Sequence, residues 1–430
     1  MNQLSSWVAG CVALLSWSAC TVTPDADLAI TDLGDVRVYT IDTGAPTGPE
    51  AVRPITIGVP DAVLDDLQDR LARARLPDQI PGTAWEYGTD GDYLVELLAY
   101  WQDGFDWRAQ ERRLNEFDHF LTKIDGVDVH FIHQRSPNPD ATPLLLTHGW
   151  PGSFVEFTEI IGPLTDPAAH GGDATDAFHV VIPSLPGFGL SGKPAERGYG
   201  PERMSDIEAA LMERLGYDRY GAQGGDWGAI IGRSLAGHYP DNVIGFHSNF
   251  ILGGPGAGAG ENGGATPEEM ELRAERASAF AEGRAYQNIQ GTKPQTVGVG
   301  LNDSPAGLAA WIVEKFHGWS DNDGNVESAF TKDQLLTNIT LYWVTGTITS
   351  SARIYYESRH TRSTRPVQYV EVPTAGAVFP KEILFTPRAW AETGYNIVRW
   401  TVMPSGGHFA ALEEPELLVD DIRAFFRELR

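Results

Sequence analysis

The chain has 430 residues, 42% of them hydrophobic and 12 of them Trp, enough for a sizeable core in one large domain with insertions or in two domains. Its formal net charge of −26 argues against nucleic acid and anionic membrane surfaces as partners. The two cysteines, Cys11 and Cys20, stand near the N-terminus and the 11 His lack HExxH spacing, which excludes a disulfide framework in the mature protein and a Cys/His zinc pattern.

Trp7 to Ala19 is apolar, too short to span a bilayer, and reads as the h-region of a secretory signal. Ser18-Ala19-Cys20 reads as the end of a bacterial lipoprotein signal, with Cys20 as the lipidated residue. Export is therefore expected, to a secreted, periplasmic or lipid-anchored form; a misassigned start would leave the chain cytoplasmic. Residues 21–53, rich in Asp, Thr, Gly and Pro, read as a linker after a signal over 1–20.

From Asp61 a helix is predicted with Val63, Leu64, Leu67, Leu71 and Ala74 on one face, ending before Pro77. A second helix is predicted near Tyr93 to Trp101. Phe120 to Ile124 and Val127 to Ile132 read as two strands around an Asp125-Gly126 hairpin turn. Short apolar strands follow at Leu144 to Thr147, His179 to Ile182, Tyr217 to Gln223 and Val243 to Phe246. Strands alternating with helices imply an α/β fold, a mostly parallel sheet covered by helices on both faces.

The alternation stops at Gly253. A Gly/Ala-rich run to Gly264 reads as a flexible link, and Thr266-Pro267-Glu268-Glu269 has the form of a helix N-terminus with a capping box. Helical patterns continue to about Tyr356, including Pro305 to Phe316 and Leu335 to Trp343. Strand signals return at Val367 to Val372 and Ile397 to Met403, before a last amphipathic helix over Pro415 to Leu429. The divisions expected are an N-terminal domain over 54–134, a core over 135–252, a helical cap over 253–360 and the rest of the core over 361–430.

The most informative stretch is Gly224-Gly225-Asp226-Trp227-Gly228. Its spacing is that of a nucleophile elbow, the sharp strand-to-helix turn of α/β-hydrolases, with Asp in the place of the usual Ser. A carboxylate, with an ordinary pKa of about 3.9, is ionised at neutral pH and needs no base to attack. It suits displacement at a saturated carbon bearing a strained or good leaving group, an epoxide or an alkyl halide. The ester so formed must be cleaved by activated water, for which His is the natural base. His408 in Gly406-Gly407-His408-Phe409 follows the final predicted strand, where such sheets place their chemistry. The orienting acid belongs after the Val367 strand, where Glu371, Glu382 and Glu392 are open candidates. Oxyanion donors are expected from the N–H groups of Trp227 and of Trp150 in His148-Gly149-Trp150-Pro151, with Pro151 a candidate for a cis bond. Opening an epoxide also needs a proton donor, and the insertion supplies Tyr286, Tyr342, Tyr355 and Tyr356, among which no spacing rule chooses.

From about Pro54 to the C-terminus the chain resembles epoxide hydrolases of the microsomal and juvenile-hormone type. The matching motifs are His148-Gly149-Trp150-Pro151-Gly152-Ser153, Gly224-Gly225-Asp226-Trp227-Gly228, Leu301-Asn302-Asp303-Ser304-Pro305, Tyr342-Trp343 with Gly346-Thr347-Ile348, Pro380-Lys381-Glu382 and Gly406-Gly407-His408-Phe409-Ala410-Ala411. Asp61 to Gln134 is similar to the N-terminal meander domain of these enzymes. The resemblance implies an α/β-hydrolase fold in which Asp226 is the nucleophile, His408 the base, Glu382 the acid, and Tyr286 and Tyr355 the oxygen-binding pair. It implies a small apolar epoxide and water as reactants, with no cofactor and no metal. Tyr356, beside Tyr355, is the competing neighbour for the inward position. Microsomal members carry a longer membrane-anchoring helix, so membrane embedding is not carried over. A haloalkane dehalogenase, or a binding protein on a decayed hydrolase scaffold, are the alternatives.

Overall fold

A ten-stranded sheet organises the protein, in the order β1-β2-β3-β4-β6-β5-β7-β8-β9-β10. The computed structural model describes residues 36–256, 260 and 262–430. The signal-like segment, Cys11 and Cys20 lie outside the described residues, as does part of the Gly/Ala-rich link.

The strands are β1 (Tyr39–Ile41), β2 (Arg53–Ile57), β3 (His119–Ile124), β4 (Val127–Gln134), β5 (Thr142–Thr147), β6 (Phe178–Pro183), β7 (Tyr220–Gly224), β8 (Val243–Ser248), β9 (Val370–Val378) and β10 (Tyr395–Val402). From β6 to β10 all neighbours are parallel; β1 to β4 form an antiparallel meander that joins the sheet through β4 against β6. The parallel strands β5 and β7 are buried on both faces, which explains why they read as unbroken apolar or small-residue runs.

The sequence-based expectations need three corrections. The expected linker over 21–53 contributes β1, an edge strand of three residues too short to stand out from its surroundings, and the first residue of β2. The strands of the 54–134 segment extend the main sheet. The first helix, Asp61–Leu71, stops short of Ala74, which is exposed, because Arg73 and Ala74 bond back to Arg70 and Leu71 in tighter turns. The strand expected over Val367 to Val372 is β9, which begins at Val370 and runs to Val378. Its second half, Thr374-Ala375-Gly376-Ala377, is buried but carries no bulky side chains, so it gave no apolar signal. Gly376 leaves room for the Trp400 ring of β10.

Between β8 and β9 the chain leaves the sheet for helices at Pro267–Gly283, Ala285–Gln290, Pro294–Asp303, Pro305–Trp319, Lys332–Thr345 and Ile348–His360. The Thr266 capping box forms as expected. The segment between β2 and β3 braces this insertion: Tyr100 Oη donates to Asp333 at 2.8 Å, Thr89 Oγ1 to the Ala310 carbonyl at 2.7 Å, and Arg70 Nη1 to the Asp303 carbonyl at 2.8 Å. No helix among the described residues is long and apolar enough to cross a membrane.

The chain visits β6 on one side of β5 and then β7 on the other. That reversal opens a crevice at the carboxyl ends of β5 and β7, where open α/β sheets bind ligands. His148–Gly152 follows β5 there, and Asp226 follows β7.

Candidate active site

Gly224 ends β7 and Asp226 begins the helix Asp226–His238, so the turn between them is a single residue long. Asp226 has φ of 48°, a left-handed conformation that a non-glycine residue adopts only at a cost. The turn stays this tight because its glycines lack side chains. A Cβ on Gly224 would meet the Gly228 backbone at 2.5 Å, and one on Gly228 would overlap the Thr147 carbonyl. The strain holds the Asp226 carboxylate in the crevice.

Asp226 Oδ1 accepts a hydrogen bond from the Trp150 backbone N–H at 2.8 Å. The Trp150–Pro151 bond is cis. The loop is pinned from both sides. His148 Nε2 accepts from the Leu185 N–H at 3.2 Å, which makes Nδ1 the protonated nitrogen that donates to the Gly149 carbonyl at 3.0 Å. Burial lowers His148 to about 4, so it is a neutral brace rather than a base. From the insertion, Asn338 Nδ2 donates to the Pro151 carbonyl at 2.8 Å and Tyr342 Oη to the Gly152 carbonyl at 2.7 Å. Trp227, in the first turn of its helix, has an N–H without an intrahelical acceptor.

His408 Nε2 stands 3.4 Å from Asp226 Oδ2, and His408 Nδ1 is 2.6 Å from Glu382 Oε1. The spacing-based candidates for the acid are thereby separated. Glu371 is exposed on β9, and exposed Glu392 pairs with Arg388 at 2.8 Å. Glu382 lies four residues beyond the observed end of β9, on a segment bound to the histidine loop by the Lys381 N–H donating to the Gly406 carbonyl at 3.0 Å. The His408 N–H donates to the Trp319 carbonyl at 2.9 Å, so the insertion also holds the base. Burial pulls the imidazole down, but the Glu382 and Asp226 carboxylates outweigh it and hold His408 well above its ordinary 6.5.

Residues 52–157 match the epoxide hydrolase N terminus family and residues 142–415 the alpha/beta hydrolase fold family. The chain is 41% identical to epoxide hydrolase 1 of Sus scrofa over 405 residues, 87% of this chain and 88% of that protein. It is 40% identical to juvenile hormone epoxide hydrolase 2 of Ctenocephalides felis over 396 residues, 86% of this chain and 84% of that protein. The crystal structure of juvenile hormone epoxide hydrolase from the silkworm Bombyx mori superposes with a TM-score of 0.82 at 35% identity, covering 89% of this chain and 95% of that one. The chain belongs to the epoxide hydrolase family.

In this epoxide hydrolase the insertion brings together two of its tyrosines. Tyr286 and Tyr355 are both buried, with ring centroids 5.6 Å apart in edge-to-face contact. Tyr286 stacks on Trp150 at 5.2 Å, and Tyr355 meets Trp227 edge-on at 4.8 Å, so the pair sits over both expected oxyanion residues. The question of Tyr355 or Tyr356 is answered by the helix: Tyr356 turns away, half-buried, onto His360 at 3.9 Å. Tyr342 is spent on the Gly152 carbonyl. Burial first, then neighbouring Asp226, raises Tyr286 above its ordinary 10; burial, Tyr286 and Asp226 do the same for Tyr355. Both therefore keep their protons. The Tyr355 hydroxyl is buried beside Tyr286 and the Trp227 side chain, both near enough to act on its proton, and makes no hydrogen bond of good geometry among the described residues.

Sequence reasoning missed two neighbours. Lys315 is buried, paired with Glu314, with Nζ 4.6 Å from the Tyr286 ring centroid, and Trp319, one helical turn further on, packs edge-on against His408 at 5.1 Å. Helical spacing from Lys315 to Trp319 was the available signal. A groove of about 480 Å³ runs up to Tyr286, its wall combining Trp85, Phe280, Ile289 and Trp311 with the charged Arg276, Glu282, Glu314 and Lys315.

Proposed function

We propose that this epoxide hydrolase acts through a covalent alkyl ester on Asp226, on a small apolar epoxide that approaches along the groove ending at Tyr286. The observation that carries the reading is the pair of buried, protonated tyrosines placed over a strained carboxylate. Tyr286 and Tyr355 hold the epoxide oxygen. As Asp226 attacks a ring carbon, the C–O bond breaks and one tyrosine gives its proton to the departing oxygen. A haloalkane would need halide-binding N–H donors, of which the buried Trp150 Nε1 is one, but two tyrosine hydroxyls that keep their protons suit a leaving oxygen rather than a halide.

Esterification changes the electrostatics in a useful direction. It removes the Asp226 charge, one of the two that hold His408 protonated, so the imidazole releases its proton to solvent, becomes the neutral base when a base is needed, and is reprotonated once Asp226 is freed. Glu382 fixes Nδ1 as the protonated nitrogen and presents Nε2 to water. Water attack on the ester places an oxyanion where the Trp150 and Trp227 N–H groups lie. The product is a vicinal diol.

The test is to mix His408→Gln with a styrene-like epoxide and weigh the protein. A mass increase of one substrate, mapped to the peptide bearing Asp226, is expected. An unmodified protein with diol still released would contradict the covalent route.

A further inference from the structure

A second, much smaller cavity of about 20 Å³ adjoins Asp226, with Glu156, Gln223, Asn249 and His408 in its wall. That is room for one water molecule. Its lining includes the nucleophile and the base but neither Tyr286 nor Tyr355, so it is a compartment apart from the epoxide oxygen's partners. The wall is polar. Gln223 Nε2 donates to Asn249 Oδ1 at 3.0 Å, and Gln223 Oε1 is buried with no partner among the described residues. Glu156, in the short helix Phe154–Phe157, reaches the cavity across Gly152, where any side chain would overlap its Oε1.

We propose that this cavity seats the hydrolytic water and that Glu156 is the residue that positions it for His408. The proposal rests on the covalent reading above. Burial, with Asp226 adding to it and His408 opposing, pushes the Glu156 carboxyl up to about 8, so most of it is neutral at pH 7. A neutral carboxyl adds no second anion where the tetrahedral intermediate gains its charge. Its carbonyl oxygen accepts one water hydrogen while His408 Nε2 accepts the other, which leaves an oxygen lone pair facing Asp226 Cγ. The water oxygen bonds to Cγ as its proton passes to His408. The oxyanion then collapses, the Cγ–O bond to the alkyl group breaks, and the leaving alkoxide takes the proton from His408. The remaining water proton, left on Asp226, returns through solvent to the tyrosinate.

Glu156→Leu and Glu156→Gln test this by single-turnover fluorescence, which resolves ester formation from ester hydrolysis, with His408→Gln as the control that an ester forms at all. In Glu156→Leu, hydrolysis is expected to fall about 10²-fold, the scale of a misplaced reactant, with ester formation within threefold. Glu156→Gln keeps the carbonyl and should hydrolyse the ester within fivefold of wild type. The titratable groups acting with Glu156 are His408, Asp226 and Tyr342. Wild-type hydrolysis should fall at high pH as the Glu156 carboxyl, raised chiefly by burial, ionises, and Glu156→Gln should lose that fall. Hydrolysis within threefold of wild type in Glu156→Leu, equal loss of both steps, or an unchanged high-pH fall in Glu156→Gln would overturn the proposal. Should Glu156→Leu not fold, the Glu156→Gln pH profile decides. No ester in His408→Gln would instead refute the underlying covalent reading.

Discussion

Two buried histidines in this protein each face an aspartate, and the two pairs are built to opposite ends. His247 on β8 places Nε2 3.0 Å from Asp421 Oδ2, while Arg399 Nε and Thr401 Oγ1 on β10 each donate to Asp421 Oδ1 at 2.7 Å. Every oxygen of that carboxylate is engaged, and those hydrogen bonds outweigh burial to hold Asp421 well below the usual carboxylate range. Among the described residues, Asp226 has one backbone donor on Oδ1 and His408, at 3.4 Å, near Oδ2. Its backbone is strained, and across His408 the buried Glu382 Oε2 lacks a partner among the described residues. A saturated carboxylate stabilises the fold and cannot attack; an under-satisfied one on a strained turn retains its reactivity. Local rules are broken where chemistry is done.

The sharpest break of this comparison is Asp226→Asn, which should lower turnover on the order of 10⁴-fold while leaving the melting transition near that of wild type, because Asn tolerates the left-handed turn and its carbonyl oxygen can still accept from the Trp150 N–H. Steady-state kinetics with a denaturant melt checks both. A large loss of stability would place Asp226 with Asp421 as a structural residue. The double variant Tyr286→Phe/Tyr355→Phe comes next, with ester formation slowed about 10³-fold and hydrolysis of a pre-formed ester little affected. Glu382→Gln should slow ester hydrolysis about 10²-fold. Removing that anion lowers the His408 pKa, so the low-pH limb of the hydrolysis profile should move to lower pH; a shift upward would contradict the assignment. The smallest effect is Asp421→Asn, a destabilisation of about 2 kcal/mol with turnover unchanged. Asp421's folded pKa is depressed, so its contribution is present above the unfolded carboxylate value of about 3.9 and is lost as pH falls toward the folded one. Urea melts at pH 7 and pH 3 should show the gap between wild type and variant narrowing.

The same contrast explains what was legible in the sequence. The elbow could be read because its glycines are steric necessities, and His408 because the final strand and helix frame it. The acid was not fixed by spacing, since the buried half of β9 is Thr-Ala-Gly-Ala and hides where the strand ends. Tyr355 and Tyr356 differ by about 100° around a helix, which only packing against Trp227 and His360 resolves. Glu156 had no signal at all, because its relation to the site depends on the missing side chain of Gly152. The edge strand β1, three residues long, was hidden in linker-like surroundings.

The covalent role of Asp226 is tested most directly by one turnover with excess enzyme in heavy-oxygen water. Label should enter the Asp226 carboxylate, with the first-turnover diol unlabelled, because the diol's new oxygen comes from Asp226. Label found in that diol and absent from Asp226 would contradict the account.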